Sequence, residues 1–234
     1  MKGEEIKVAV REHYARRIQA NAGCCAPECC GPEAAAAGPA GVDEIPSYGC
    51  GTPFDAAVFS RGDVVVDLGS GPGRDALVAA HAVGPSGRVI GVDMTPEMIE
   101  RAQAAAGRAG LGHVEFLLGD IEALPVADGA ADLVISNCVL TLVPDKRRAF
   151  AEAFRILKSG GRLVVNDIVA ETPLPEAARN DPEIWSACVS GAITAEEYRG
   201  ALAAAGFGEI GLVPNGDGAG AYATYSARVM ARKP

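Results

Sequence analysis

The chain has 234 residues, of which 49% are hydrophobic and 22% are charged. A chain of this length and composition can bury the core of one domain, with at most a small appendage. We therefore exclude an intrinsically disordered protein. Its net charge of −9 repels phosphate backbones and no basic stripe is present, so nucleic acid is excluded as a partner. No apolar run reaches about 18 residues and residues 1–19 carry charges throughout, so we expect a cytoplasmic protein with neither a membrane span nor a signal peptide.

The first segment predicts a helix followed by a cysteine-rich loop. Ile6, Val10, Tyr14 and Ile18 lie four residues apart and form one apolar stripe over residues 4–20. The next stretch is rich in alanine, glycine and proline, has little to bury, and contains Cys24, Cys25, Cys29 and Cys30. Their spacing differs from that of paired zinc-binding cysteines, so a metalloid-binding arm and a solvated tail both remain open.

From residue 63 onwards, short apolar runs alternate with segments of helical length. Five runs predict buried strands, at residues 64–66, 88–93, 114–117, 131–136 and 163–167. Predicted helices follow the first strand as far as residue 80, span residues 96–109, and run from a cap at Asp145 to the glycine pair 160–161. This alternation is typical of a mostly parallel sheet with helices on both faces.

The C-terminal part predicts a further helix and two closing strands. Thr194 and Glu197 have the spacing of a capping box, and strands follow near residues 208–213 and 222–231. We therefore predict an α/β fold with a seven-stranded, mostly parallel sheet. It divides into an N-terminal helix, cysteine-rich loop and site-covering segment (1–61), a sheet core (62–168), and a segment carrying Cys188 with a small C-terminal cap (169–234).

A glycine-rich loop, GSGPG at residues 69–73, lies directly between the first predicted strand and its helix. Glycines let a backbone approach a ligand closely, although such a loop by itself also fits a simple tight turn. Asp93 ends the second strand, where a carboxylate can accept hydrogen bonds from both hydroxyls of a ribose, and Asp120 follows the third, where an adenine amino group would be met. Pro72 moves the third glycine away from the dinucleotide spacing, which favours a nucleoside cofactor without a pyrophosphate.

These stretches resemble the class I S-adenosylmethionine (SAM)-dependent methyltransferases, which have a Rossmann-like fold. The resemblance covers residues 62–167 and is carried by VDLGSG, GVDM, GDI and LKSGG. It implies SAM as the cofactor, with the glycine loop against the methionine part, Asp93 on the ribose, and Asp120 with Ile121 facing the adenine. The cofactor residues that it implies are Asp67, Gly69, Ser70, Gly71, Asp93, Met94, Asp120, Ile121 and Asn137.

Three further cysteines indicate where an acceptor is held. Cys50 precedes the sheet, Cys138 follows the fourth strand, and Cys188 follows the fifth. Sites on parallel sheets form at the carboxyl ends of the strands, so the segments of Cys50 and Cys188 can cover the site from opposite sides. Soft thiolates select thiophilic centres such as trivalent arsenic, whose lone pair takes up a methyl group with little help from a general base.

Around these cysteines the chain resembles the arsenite methyltransferase family. The resemblance spans residues 14–207 and is carried by YGCG at 48–51, ISNCV at 135–139 with LVPDK at 142–146, and CVSGA at 188–192. It implies that Cys50 and Cys188 are redox-active arsenic thiols that depend on a reductant such as glutathione or thioredoxin, and that Cys138 packs beside the cofactor. A further arsenic-binding cysteine usual in the family has no counterpart after Cys188, so a third thiolate comes from the cysteine-rich loop, comes from a cellular thiol, or is absent.

The sequence therefore predicts a monomeric enzyme that methylates trivalent arsenic with SAM, a reaction that serves arsenic detoxification. Two alternatives remain open. One is a methyltransferase for a small organic acceptor, in which the cysteines are incidental. The other is a non-catalytic, thiol-based metalloid-binding module, against which the glycine loop and Asp93 argue, since such a module has no need of SAM.

Overall fold

The computed structural model describes residues 3–20, 42, 45, 58–179, 185, 188–215 and 222–234. The strands are β1 Val64–Leu68, β2 Arg88–Asp93, β3 Val114–Leu118, β4 Ala131–Asn137, β5 Leu157–Ala170, β6 Ile193–Thr194, β7 Gly208–Pro214 and β8 Thr224–Arg232. The helices are α1 Gly3–Gln19, α2 Arg74–Val83, α3 Pro96–Ala109, α4 Lys146–Ile156, α5 Glu176–Arg179 and α6 Ala195–Ala204, with a 3₁₀ turn at Leu140–Leu142.

The strands form one eight-stranded sheet in the order β3-β2-β1-β4-β5-β8-β7, with β6 paired to β5. Strands β1 to β6 run parallel to their neighbours, whereas β8 runs antiparallel to β5 and β7. The predicted α/β fold with a mostly parallel sheet is thereby confirmed. The additional strand, β6, is two residues long and pairs with the end of β5 through Ile193 and Thr194.

Successive residues of the strands feed two apolar cores, one on each face of the sheet. In β1, Val65 belongs to the core under α2 and α3, whereas Val66 belongs to the core under α4 and α6. This division follows from the period of two in a strand, which sends neighbouring side chains to opposite faces. Both faces of β1 are buried because helices cover both, which explains its unbroken run of valines.

The boundary between α4 and β5 differs from the prediction. The cap is confirmed, since the Asp145 carboxylate accepts a hydrogen bond from the Arg148 amide at 3.0 Å. The helix, however, ends at Ile156, and β5 begins at Leu157 and runs through the glycine pair that was predicted to end the helix. Leu157 pairs with Ala131 of β4, so pairing within the sheet outweighs the local helical pattern at this point.

The fold brings the carboxyl ends of four strands to one edge. Leu68 at the end of β1 pairs with Val92 of β2 on one side and with Ser136 of β4 on the other. The segments that follow these strands, and the segment after β3, therefore emerge next to one another. Among the residues that the structure describes, no helix has the length and apolar character needed to cross a membrane.

Candidate active site

A cavity lies at the carboxyl edge of β1–β4. Helix α1 contributes Lys7, Val10 and Tyr14 to its wall. The structure also brings to this wall all nine residues that the sequence predicted for the cofactor: Asp67, Gly69, Ser70, Gly71, Asp93, Met94, Asp120, Ile121 and Asn137.

The glycine-rich loop after β1 is held against β2. The amides of Gly69 and Ser70 both donate hydrogen bonds to the carbonyl oxygen of Val92, at 2.8 and 3.1 Å. Gly69 has a φ of +70°, and a Cβ at this position would lie 2.5 Å from both methyl carbons of Val139. Position 69 therefore requires glycine, and the turn leaves backbone atoms in the cavity wall.

The Asp93 carboxylate has a fixed orientation at the end of β2. Its Oδ2 accepts a hydrogen bond from the Gly71 amide at 3.0 Å, and its Oδ1 accepts one from the Thr95 amide at 2.8 Å. Burial raises the pKa of Asp93, and these backbone hydrogen bonds limit the rise because they favour the charged form. Each oxygen retains acceptor capacity, so the side chain suits a pair of hydroxyl groups.

Asp67 and Asp75 place two more carboxyl groups in the same wall. Burial raises the pKa of Asp67 well above its ordinary value, and the charges of Asp75 and Asp93 raise it further. Burial also raises the pKa of Asp75, which the Asn137 amide counteracts by donating to Asp75 Oδ2 at 2.9 Å. Asp67 Oδ2 and Asn137 Oδ1 are buried and accept no hydrogen bond from the described part of the chain. Two such acceptors beside three carboxyl groups suit a cationic ligand that carries N–H donors.

Helix α1 is tied to the cavity through Lys7. Its Nζ lies 2.7 Å from Asp120 Oδ2 and 2.6 Å from Glu122 Oε2. Burial lowers the pKa of Lys7, but hydrogen bonds and charges from both carboxylates outweigh this effect, and the pKa lies above its ordinary value. The Glu122 amide donates to Asp120 Oδ1 at 2.8 Å, so both oxygens of Asp120 are oriented.

A second, apolar cluster adjoins the cavity and contains two cysteines. This thiol cluster consists of Ile6, Val10, Cys138, Leu142, Trp185 and Cys188, with Tyr14, Met94 and Ile168 packed against it. The Cys188 side chain takes part in no disulfide bond, and the residue is 2% exposed. Its Sγ donates to the carbonyl oxygen of Cys138 at 3.4 Å and lies 3.6 Å from the hydroxyl oxygen of Tyr14. Because Cys138 also lines the cavity, it links the two regions.

Both cysteines have a left-handed backbone. Cys138 and Cys188 each have a φ of +59°, which is uncommon for residues other than glycine and is concentrated at functional sites. The Cys138 amide donates to Asn166 O at 2.7 Å and the Cys188 amide donates to Trp185 O at 3.0 Å, and these bonds hold the two turns. Cys138 takes part in a disulfide bond whereas Cys188 takes part in none, so the two sulfurs are not bonded to each other.

Comparison with known proteins identifies the family. A methyltransferase domain model matches residues 59–206, which is more than half of the chain. The arsenite methyltransferase of Halobacterium salinarum is 39% identical over 232 residues, covering 90% of this chain and 59% of that protein. The crystal structure of an arsenic(III) S-adenosylmethionine methyltransferase from Chlamydomonas reinhardtii superposes with a TM-score of 0.69 at 33% identity, covering 85% of this chain and 75% of that one. The chain belongs to the arsenite methyltransferase family.

The match to family members is partial in length. The human arsenite methyltransferase is 38% identical over 155 residues, which cover 62% of this chain and 41% of the human protein. The chain thus spans between about two fifths and three fifths of these two curated relatives. The family model, over residues 59–206, includes the cavity residues that follow β1 to β4 and also Trp185 and Cys188, but not the cavity residues of α1.

Three residues of the site were missed by the sequence analysis: Lys7, Tyr14 and Asp75. Asp75 had a local signal, because it follows the glycine-rich loop in the first turn of α2. Tyr14 was identified only as part of an apolar stripe. Lys7 belongs to an ordinary charged helix face, and its partners are more than 100 residues away, so no local pattern indicates them.

The predicted arsenic thiols of this family member are described only in part. Cys188 lies in the thiol cluster, whereas Cys50 and the cysteine-rich loop lie outside the described residues. Within the described ranges, no group of three or more His, Cys, Asp or Glu side chains forms a metal site. Cys138, which was assigned to packing beside the cofactor, does pack there and is in addition the neighbour of Cys188.

Proposed function

We propose that this chain transfers a methyl group from SAM to trivalent arsenic that is held by cysteine thiolates. The observation that supports the proposal is the contact between the thiol cluster and the wall of the cofactor cavity. Cys188 is buried, its sulfur contacts the backbone carbonyl of Cys138, and Cys138 lines the cofactor cavity. A metalloid bound to the Cys188 sulfur therefore lies next to the wall of the cavity.

The cavity residues fit SAM, whose sulfonium and ammonium groups are cationic. Asp67 Oδ2 and Asn137 Oδ1 supply acceptors for the ammonium hydrogens, and Asp93 supplies acceptors for the ribose hydroxyls. Asp120 and Ile121 are assigned to the adenine. A bound cation favours the ionised form of the neighbouring carboxyl groups, which offsets the cost of burying them. When bound, SAM supplies an activated methyl group, and the chain provides its orientation.

Arsenous acid is a substrate that thiols recognise directly. In each binding step a sulfur–arsenic bond forms and an arsenic–hydroxide bond breaks, and the thiol proton leaves with that hydroxide as water. Arsenic stays trivalent and keeps its lone pair, which is the nucleophile. Because the nucleophile carries no proton, the chain needs no general base, and its task is to bind arsenic and to direct the lone pair.

We assign Cys188 and Cys50 as arsenic ligands. A third thiolate comes from Cys24, Cys25, Cys29 or Cys30, comes from a cellular thiol, or is absent. We infer that a thiol reductant such as glutathione or thioredoxin keeps the ligand thiols reduced, that the enzyme acts as a monomer, and that it works in the cytoplasm, where such reductants are present.

The test is arsenite-dependent release of S-adenosylhomocysteine by the reduced protein. Cys188→Ser is expected to lower this rate by on the order of 100-fold, because loss of one ligand removes both affinity and orientation. Cys138→Ser is expected to retain partial activity, and both variants should bind SAM like the wild type because neither thiol is needed for the cofactor. Wild-type methylation of arsenite by Cys188→Ser would contradict the proposal, and would favour the methyltransferase for a small organic acceptor.

A further inference from the structure

Tyr14 in α1 brings a phenol hydroxyl to the sulfur of Cys188. The two atoms lie 3.6 Å apart, although the residues are separated by 174 positions in the chain. Lys7, Val10 and Tyr14 all line the cofactor cavity, and their spacing of three and four residues places them on one face of the helix. The same face of α1 therefore meets both the cavity and the thiol cluster.

Contacts near both ends of α1 fix the place of Tyr14. Lys7 Nζ binds two carboxylates across the cavity, at 2.7 and 2.6 Å. Near the other end, Arg101 Nη1 donates to the carbonyl oxygen of Ile18 at 2.7 Å. A tyrosine on a helix that is anchored in this way is preorganised for a role in a site.

The described side chains around the Cys188 sulfur are mostly apolar. The Cys138 carbonyl oxygen, 3.4 Å away, accepts a hydrogen bond and cannot donate one. A thiolate is costly in such an environment. The Tyr14 hydroxyl can donate, and a donor beside the sulfur stabilises its anionic form.

Further charged and titratable side chains occur on the described elements that pack around the cluster. They are Lys7 and His13 in α1, Asp93 beside Met94, Lys146 in α4 and Asp167 in β5. Burial lowers the pKa of Lys146 to about 8, and its Nζ lies 5.6 Å from the centre of the Trp185 ring. Burial raises the pKa of Asp167 to about 6 and lowers that of His13, whose ring packs edge-on against Tyr14. Replacing Tyr14 by phenylalanine leaves all of these groups in place.

We propose that Tyr14 is a positioning residue of the arsenic site: its hydroxyl donates a hydrogen bond to the Cys188 sulfur as the thiol gives up its proton. The inference rests on the proposed function, in which Cys188 bonds to arsenic. The sulfur–arsenic bond forms, an arsenic–hydroxide bond breaks, and the thiol proton leaves with that hydroxide as water. The Tyr14 proton stays on its oxygen, and the hydrogen bond directs the sulfur toward the cavity that Tyr14 also lines.

The experiment is a titration of the reduced full chain with arsenite at pH 6.5 and 8.5, followed by the fluorescence of Trp185, the only tryptophan. Tyr14→Phe is expected to weaken arsenite binding about tenfold at pH 6.5, which is the effect of one hydrogen bond to a charged group. At pH 8.5 the difference from the wild type should shrink, because the thiol ionises with less help. Tyr222→Phe removes the hydroxyl of an exposed tyrosine and should bind like the wild type at both pH values.

Two further measurements distinguish a failure of the role of Tyr14 from a failure of the proposed function. S-adenosylhomocysteine binding by Tyr14→Phe should stay within about twofold of the wild type, since phenylalanine keeps the ring in the cavity wall. If Cys188→Ser loses arsenite binding while Tyr14→Phe keeps wild-type affinity, or loses it equally at both pH values, the role of Tyr14 is overturned and the proposed function stands. If Cys188→Ser binds arsenite like the wild type, both are overturned.

Discussion

The cofactor cavity and the thiol cluster differ in how the chain assembles them. Most of the cavity comes from segments that directly follow β1, β2, β3 and β4, so neighbouring strands bring their own loops to the site. The thiol cluster joins α1, the turn after β4, and the described residues 185 and 188. The position of the cavity therefore follows from the order of strands in the sheet, whereas the thiol cluster depends on how two outlying segments pack onto the sheet.

The two regions also differ in polarity. The cavity holds the buried or partly buried carboxyl groups of Asp67, Asp75 and Asp93, and burial raises the pKa of each. The thiol cluster surrounds Cys188 with apolar side chains and the hydroxyl of Tyr14. Changes that remove space or charge from the cavity should therefore impair cofactor binding, and changes to the cluster should impair arsenic binding, each without the other.

The largest effect is expected from Gly69→Ala. Its Cβ would lie 2.5 Å from Val139 at a φ of +70°, so we expect a loss of about 3 kcal/mol in stability and a matching loss of SAM affinity. For stability, Gly71→Ala is the matched control, because its φ is +50° but no described atom lies within 4 Å of the added Cβ, and about 1 kcal/mol is expected. Thermal unfolding measures the stability of both variants, and calorimetric SAM titration measures the affinity of Gly69→Ala. Equal losses of stability in the two variants would show that collision with Val139 is unimportant.

An effect of similar size, seen only when the pH is varied, is expected on the stability that Asp167 contributes. Burial raises its pKa to about 6, although Lys146 and the Tyr198 hydroxyl, 3.2 Å from Oδ2, act against the rise. Between about pH 4 and 6 the folded chain holds a proton that the unfolded chain has lost, so this contribution is present at low pH and is lost as the pH rises. As the pH rises from 4 to 7, the free energy of unfolding of Asp167→Asn should therefore increase by about 3 kcal/mol relative to that of the wild type.

Urea unfolding across this pH range measures the change, and Asp132→Asn provides a control of opposite sign. The hydrogen bond from Lys158 and its charge lower the pKa of Asp132 despite partial burial, so the contribution of Asp132 is lost as the pH falls. A stability difference between Asp167→Asn and the wild type that does not change with pH would contradict the raised pKa.

The smallest of the three effects is expected from Asp93→Ala. Loss of a charged acceptor for the ribose hydroxyls should cost about 2 kcal/mol of SAM affinity. Asp93→Asn keeps one oxygen for the backbone amides and should lose less. Arsenite binding, followed by Trp185 fluorescence, should be unchanged in both variants. Wild-type SAM affinity in Asp93→Ala would move the ribose contact to another residue, and a loss of arsenite binding would show that the two regions are coupled.

The sequence by itself determined the elements whose signals are local. The glycine-rich loop, Asp93 at the end of β2, the cap at Asp145 and the capping box at Thr194 each depend on residues within a few positions of one another. The order of strands and helices follows from hydrophobic periodicity, which neighbouring residues also set. The candidate cofactor residues could be chosen from these signals because each directly follows a strand or lies at its end.

Only the tertiary structure decided what α1 covers and which residue adjoins Cys188. Lys7 reaches Asp120 across 113 positions, Tyr14 reaches Cys188 across 174, and Cys188 reaches Cys138 across 50. Pairing within the sheet likewise moved the end of α4 to Ile156, against the local helical pattern. Contacts at such separations follow from burying apolar faces against the completed sheet, and no spacing in the sequence records them.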